Sequence, residues 1–177
     1  MRKLEIGCGR KINPGYERMD ANSELPALDY CGPAQERLPW DDNTFGEIRA
    51  VDVLEHISYR ETLPALTEWC RIMKPGGRLY VQVPDVRTAV TWWLSNPDRL
   101  MTQEFAHLPP IVSLAWRMMG GHADGEITQD GDDWRWNAHY AMFDTESLAW
   151  YLVKAGFDVE SIVTNPFPNL LAWAIKR

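Results

Sequence analysis

The chain contains no Cys-x-x-Cys pair; its three cysteines, Cys8, Cys31 and Cys70, stand far apart and are odd in number. That excludes a zinc ribbon or a disulfide framework and leaves free, buried thiols in a reducing compartment as the expectation. No apolar run approaches the roughly 18 residues needed to span a bilayer. No leader precedes the strand-like start Met1-Arg2-Lys3-Leu4-Glu5-Ile6, so a cytoplasmic location without membrane association is expected. Positive charge is scarce: 18 Lys and Arg stand against 25 Asp and Glu, a formal charge of −7. Nucleic-acid partners favour clustered Lys and Arg, so none is expected here. What remains is ordinary globular material: 177 residues, 45% hydrophobic and 24% charged, enough for one domain with a sizeable core.

Patterning predicts strands at Lys3–Ile6, Tyr16–Met19, around Asp29–Cys31, at Glu47–Val51, Arg78–Val83, Phe157–Val163 and Leu170–Ile175. Helices are predicted over Asp52–Ile57, over Arg60–Met73 with Leu63, Leu66, Trp69, Cys70 and Met73 at helical spacing, and over Asp144–Ala155. Thr145 is a candidate cap for the last, and Gly156 closes it. Lys74-Pro75-Gly76-Gly77 is read as the stop of the second helix. Strands alternating with helices imply an α/β, Rossmann-like, doubly wound and mostly parallel sheet wrapped on both faces. The last two strands are joined too tightly for a crossover, so one strand near the C-terminus should be antiparallel. In such sheets ligands collect at the carboxyl ends of strands, here just after Ile6, Met19, Val51 and Val83.

Gly7-Cys8-Gly9 after the first strand is a turn that lets backbone approach a ligand closely. By itself it equally describes a plain tight turn. Asp20 ends the second strand, where a carboxylate can accept both hydroxyls of a ribose. It follows Gly9 by only 11 residues, about half the spacing of a dinucleotide fingerprint, and position 12, where the third glycine of that fingerprint would fall, is Ile12. A helical crossover needs roughly a dozen residues or more, so the first crossover helix should be reduced or absent. A pyrophosphate site at that helix's N-terminus then becomes hard to build, which disfavours a nicotinamide-dependent oxidoreductase.

Taken in order, Leu4-Glu5-Ile6-Gly7-Cys8-Gly9, Asp20, Leu38-Pro39-Trp40-Asp41-Asp42-Asn43-Thr44-Phe45, Val53-Leu54-Glu55-His56-Ile57 and Met73-Lys74-Pro75-Gly76-Gly77 resemble the motifs of class I S-adenosylmethionine-dependent methyltransferases. The likeness is to the short subgroup in which the glycine turn runs almost directly to the acidic residue. It covers about residues 3–86, and Asp144–Phe157 resembles a later helix-to-strand segment of the family. The resemblance implies a cofactor, S-adenosylmethionine, with S-adenosylhomocysteine as product. It implies that Gly7, Cys8 and Gly9 lie against the methionine part and that Asp20 binds the ribose. Gln35, Glu36 and Leu38 would flank the adenine, and Ala50 and Val51 would offer backbone to the methionine end. Glu5 is a candidate for the ammonium and Arg10 or Lys11 for the carboxylate, although the last two are equally read as solvated loop charges. Ala34 and Gly46 depart from the family, which commonly has Asp at both positions.

Methyl transfer mainly needs a nucleophile aligned behind the methyl group, with a base where the acceptor is a hydroxyl. His56 and His139 are the candidate catalytic residues; capping or packing of a helix is the alternative for His56. His107 and His122 are weaker candidates. The region 86–141 is read as a substrate-covering lid, with Trp92, Trp93, Trp116, Trp134 and Trp136 suited to stacking on an acceptor or to packing the lid; Trp150 follows in the last helix. The acidic run Asp124–Asp133 fits no complete calcium loop, and no metal site is expected. The acceptor is expected to be a small molecule or glycan precursor, with a cofactor-binding regulatory module without turnover as the alternative. A second copy of the chain is a candidate cover for the sheet face that lacks its first helix.

Overall fold

The computed structural model describes residues 1–96, 109–120 and 138–177. Among these, seven strands form one sheet: β1 (Lys3–Ile6), β2 (Glu17–Asp20), β3 (Tyr30–Cys31), β4 (Phe45–Val51), β5 (Met73–Pro84), β6 (Phe157–Thr164) and β7 (Asn169–Lys176), in the order β3-β2-β1-β4-β5-β7-β6. β1 to β5 run parallel, while β7 is antiparallel to both β5 and β6. The short turn at 165–168 allows no crossover, so β7 must reverse, and it does so between β5 and β6. Strand order switches direction between β1 and β4, the crevice where open sheets of this kind bind ligands.

The helices are α1 (Thr62–Ile72), α2 (Val86–Ser95), α3 (Pro110–Met119) and α4 (Thr145–Ala155). No helix joins β1 to β2; residues 7–16 cross back as turns and coil. The helix expected over Asp52–Ile57 is a single 3-10 turn, Leu54–His56. Continuing it would require the Glu55 carbonyl to accept from within the segment. That carbonyl instead accepts the N–H groups of Tyr140 and Ala141 at 2.7 and 3.1 Å. At α4 the cap is Asp144 rather than Thr145: its side chain accepts from the Ser147 N–H and the Ser147 hydroxyl accepts from the Asp144 N–H. β5 starts at Met73, earlier than Lys74–Gly77 suggests, because a register shift opposite Phe45 and Glu47 absorbs the Pro-Gly-Gly stretch. Cys8 and Cys70 are buried as expected, but Cys31 is exposed, since β3 is the edge strand.

The strands alternate. Leu4, Ile6, Ile48, Ala50, Leu79, Val81, Ala172 and Ala174 point to one face, where Leu66, Trp69, Leu148 and Leu152 of α1 and α4 complete the core. On the other face the register aligns Glu5, Arg49, Tyr80 and Trp173 across β1, β4, β5 and β7. These side chains hold each other: Arg49 Nε donates to Glu5 Oε1 at 3.2 Å, the Arg49 guanidinium lies 5.0 Å from the Tyr80 ring, and the Tyr80 and Trp173 rings are 4.5 Å apart. Residues 7–16 cover the β1 end of this row. Asn13 Nδ2 donates to Glu5 Oε1 at 2.5 Å, and the Tyr16 hydroxyl donates to Glu47.

The region 86–141 is described over α2, α3 and 138–141. His107, His122, Trp134, Trp136 and the run Asp124–Asp133 lie outside the described residues. Among the described residues no helix is long and apolar enough to cross a membrane.

Candidate active site

β1 ends at Ile6 and the backbone turns left-handed at Gly7 (φ 64°) and Gly9 (φ 52°). A Cβ on Gly7 would stand 2.2 Å from Val53 Cγ2, so glycine is what lets this turn lie against the turn after β4. A Cβ on Gly9 would meet nothing within 4 Å; Gly9 lines a cleft.

The turn is fastened to β2. The Gly9 N–H donates to Asp20 Oδ2 at 2.9 Å, the Cys8 N–H to the Met19 carbonyl at 3.1 Å, and the Asn22 N–H to Asp20 Oδ1 at 3.0 Å. Arg18, only 5% exposed, donates through Nη2 to the Gly9 carbonyl at 2.7 Å and through Nη1 to the Pro26 carbonyl at 2.6 Å. Its planar fork ties the loops on either side of β2 together. The sequence offers Arg10 and Lys11 as the cations of this turn, and nothing in the strand Glu17-Arg18-Met19-Asp20 marks Arg18 as buried.

The cleft has a volume of about 370 Å³ at the carboxyl ends of the central strands. Its walls are Gly7, Gly9 and Arg10 after β1, Met19 to Asn22 at the end of β2, Gly32 to Gln35 after β3, and Asp52, Val53, His56 and Ile57 after β4. Of the twelve candidate cofactor residues, the cleft is lined by Gly7, Gly9, Arg10, Asp20 and Gln35. Glu5 faces the polar sheet surface with Asn13 and Arg49. Cys8 is buried, which pushes its thiol above the ordinary value. Leu38 is in the core, with its N–H donated to Glu68 Oε1 at 2.8 Å. Glu36 is exposed, and Ala50 and Val51 are within β4. Asn22 and Asp52 also line the wall without a role expected from sequence, and Val53 lines it as the first residue of the motif that runs to Ile57. Asp52 has φ 54°, an uncommon conformation for a residue other than glycine, and its N–H donates to the Gln82 carbonyl at 3.0 Å. Ala34 presents backbone, and its carbonyl accepts Trp69 Nε1 at 2.9 Å from inside the core.

His56 and His139, 83 positions apart in the chain, come together with ring centroids 5.0 Å apart in an edge-to-face pair. His56 Nδ1 lies 2.9 Å from the Ala138 carbonyl. A carbonyl only accepts, so Nδ1 carries the proton and the lone pair of the neutral ring is on Nε2. Burial holds the His56 imidazole below its ordinary pKa, against the Ala138 bond and the Asp52 charge. Its neighbour Glu55 is 2% exposed; burial, reinforced by Asp52, raises its carboxyl well above the usual range.

Comparison with known proteins adds to this geometry. The family model described as "Methyltransferase domain" matches residues 1–162. The chain belongs to that family of S-adenosylmethionine-dependent methyltransferases. It is 25% identical over 158 residues to the ubiquinone/menaquinone biosynthesis C-methyltransferase UbiE of Pseudomonas fluorescens, a match covering 85% of the chain and 52% of that protein. It is 25% identical over 131 residues to a probable tRNA methyltransferase 9B of Mus musculus, covering 65% of the chain and 27% of that protein. It therefore spans about half, or less, of the length of these curated relatives. Among solved structures, a SAM-dependent methyltransferase from Methanosarcina mazei superposes with a TM-score of 0.61 at 19% identity, over 99% of this chain and 92% of that one.

The cleft suits the cofactor of this family. Each Asp20 oxygen already accepts one backbone N–H and keeps further accepting capacity, as a ribose diol requires. The space beside Gly9 is one that a side chain would fill. The volume falls in the usual range for small-molecule sites.

Proposed function

We propose that the chain holds S-adenosylmethionine in this cleft and methylates a small-molecule or glycan-type acceptor that enters beside His56 and His139. The observation that carries this reading is the Gly9–Asp20 unit, a backbone turn and a carboxylate placed together at the switch point of the sheet. Asp20 receives the ribose hydroxyls, Gly7 and Gly9 admit the methionine part, and Gln35 borders the adenine. When bound, the cofactor supplies a methyl group on a sulfonium: the acceptor's lone pair takes the methyl carbon and the C–S pair stays on sulfur, leaving S-adenosylhomocysteine. The chain's residues contribute alignment, which accounts for much of the acceleration in such transfers. His56, neutral with its lone pair on Nε2, accepts the proton of a hydroxyl acceptor.

A small acceptor is supported by the charge of −7, which repels a phosphate backbone. It is also supported by the UbiE relatives, which match more of this chain than the tRNA-methyltransferase relative does. Ala34 favours a second reading, a cofactor-binding regulatory module without turnover. It brings no carboxylate to the adenine amino group, and its carbonyl already serves Trp69.

Calorimetry with S-adenosylmethionine, S-adenosylhomocysteine and NAD, followed by transfer of labelled methyl into host metabolite fractions, tests both. Binding of the first two with label transfer is expected. Binding without transfer to any fraction selects the regulatory module, and absence of binding overturns both readings.

A further inference from the structure

We propose that Glu55, His56 and His139 form a binding site for a divalent cation of the zinc class. One carboxylate oxygen and one nitrogen from each imidazole lie within 4.8 Å of one another. The three residues come from two distant stretches, the 3-10 turn after β4 and the segment leading into α4. Backbone hydrogen bonds lock these stretches together. Besides the two that end on the Glu55 carbonyl, the Tyr59 N–H donates to the Tyr140 carbonyl at 3.4 Å, and the His139 N–H ties its segment to the end of α3 through the Met119 carbonyl at 3.0 Å. The cluster is therefore set by main-chain geometry and not by long side chains meeting in solvent.

An independent observation points to a ligand. Glu55 Oε2 is buried and has no hydrogen-bond partner. Leaving a buried carboxyl oxygen unpaired is unfavourable, and a cation taken up by this carboxyl in exchange for its proton, together with two imidazoles, supplies the missing interaction. The tautomer of His56 fits the same purpose. A metal-binding imidazole characteristically donates its other N–H to a carbonyl or carboxylate, and His56 Nδ1 does this to Ala138.

The donor set selects the ion. Mg²⁺ and Ca²⁺ take oxygen ligands, whereas two imidazoles with one carboxylate suit Zn²⁺ and its borderline neighbours. Bonds of about 2.0–2.2 Å separate tetrahedral ligands by roughly 3.4 Å, so no pair has to close by more than about 1.4 Å, within reach of a side-chain rotation. Three protein ligands leave a coordination position open. Asp52 adds negative charge beside both Glu55 and His56, while the Arg117 guanidinium, whose Nη2 donates to the Pro168 carbonyl at 2.9 Å, acts on Glu55 as an opposing positive charge that the ion must outcompete. His56 is shared with the cleft wall, so the ion would stand at the edge of the cofactor cleft, and while bound it would occupy the Nε2 lone pair that in the metal-free chain serves as the base. The site does not depend on the chain's being a competent transferase.

The test uses the full chain, free of tags and stripped of metal. Zn²⁺ and Mg²⁺ are titrated by calorimetry, and Co²⁺ is titrated while its visible absorption is followed. One equivalent of Zn²⁺ should bind and Mg²⁺ should not, and Co²⁺ should develop ligand-field bands. Both Glu55→Gln and His139→Ala should weaken Zn²⁺ binding more than about tenfold and abolish the Co²⁺ bands. His139→Asn replaces His139→Ala if circular dichroism shows the latter unfolded. Failure of the wild-type chain to bind Zn²⁺, or Zn²⁺ binding unchanged in both variants, overturns the proposal. S-adenosylmethionine affinity measured on the same samples reports separately on the proposed function.

Discussion

The backbone N–H of Gly9 donates to the carboxylate of Asp20 across 2.9 Å, so the turn after β1 and the tip of β2 form one hydrogen-bonded unit. Asp20→Ala removes at once the ribose acceptor and the brace on Gly9. S-adenosylmethionine affinity should fall by about 1–3 kcal/mol, the range for leaving buried polar partners unpaired. Asp20→Asn, which keeps one accepting oxygen, should lose less. Isothermal titration calorimetry measures both, and equal affinity for wild type and Asp20→Ala removes Asp20 from the site.

The two glycines of the turn should separate stability from binding. Each sits at a positive φ that costs other residues about 1–2 kcal/mol. Gly9→Ala should show little more than that loss in denaturant unfolding, while its methyl group enters the cleft and weakens cofactor binding. Gly7→Ala collides with Val53 as well, and should be the less stable by a further 1–3 kcal/mol or so. The double variant Gly7→Ala/Val53→Ala should recover part of that difference.

Trp69 connects the core to the cleft wall, being fully buried while donating to the Ala34 carbonyl. Trp69→Phe leaves that carbonyl without its donor and should cost about 1–3 kcal/mol in chemical denaturation. Cofactor affinity should drop with it, because Ala34 loses its anchor. A stability loss with wild-type affinity would uncouple the two.

Asp144 gives a pH dependence with a definite sign. The Ser147 N–H, then Arg87, lower its carboxyl from 3.8 to about 2. The folded state thus binds this proton less readily than the unfolded chain. The contribution is complete above about pH 4 and is lost as pH falls toward 2. Asp144→Asn keeps a capping oxygen and should flatten this part of the stability profile, whereas Asp144→Ala should cost about 1 kcal/mol at neutral pH.

Local chemistry made much of this legible in the sequence. Gly7, Gly9 and Asp20 could be placed because a strand, a turn and a second strand lie within twenty residues, and the absence of a crossover helix followed from the same spacing. The start of β5 could not be placed, since Pro75-Gly76-Gly77 reads as a breaker unless the bulge against β4 is known. Asp144 and Thr145 are both capping types, and only the hydroxyl of Ser147 decides between them. The meeting of Glu55 and His56 with His139 depends on backbone bonds between segments more than 80 positions apart, which no local pattern encodes. Arg18 is hidden in the sequence for a related reason: its role is set by the two loops that fold around it, not by its neighbours in β2.

Residues 7–16 serve two surfaces with one length of chain: their first residues wall the cleft, and Asn13 and Tyr16 shield the row that begins at Glu5. With no helix beneath this strip, loosening it uncovers both surfaces together. Cofactor occupancy should therefore govern the hydration of the opposite sheet face, and the protection of amides along β1 and β4 becomes a readout of whether the cleft is filled.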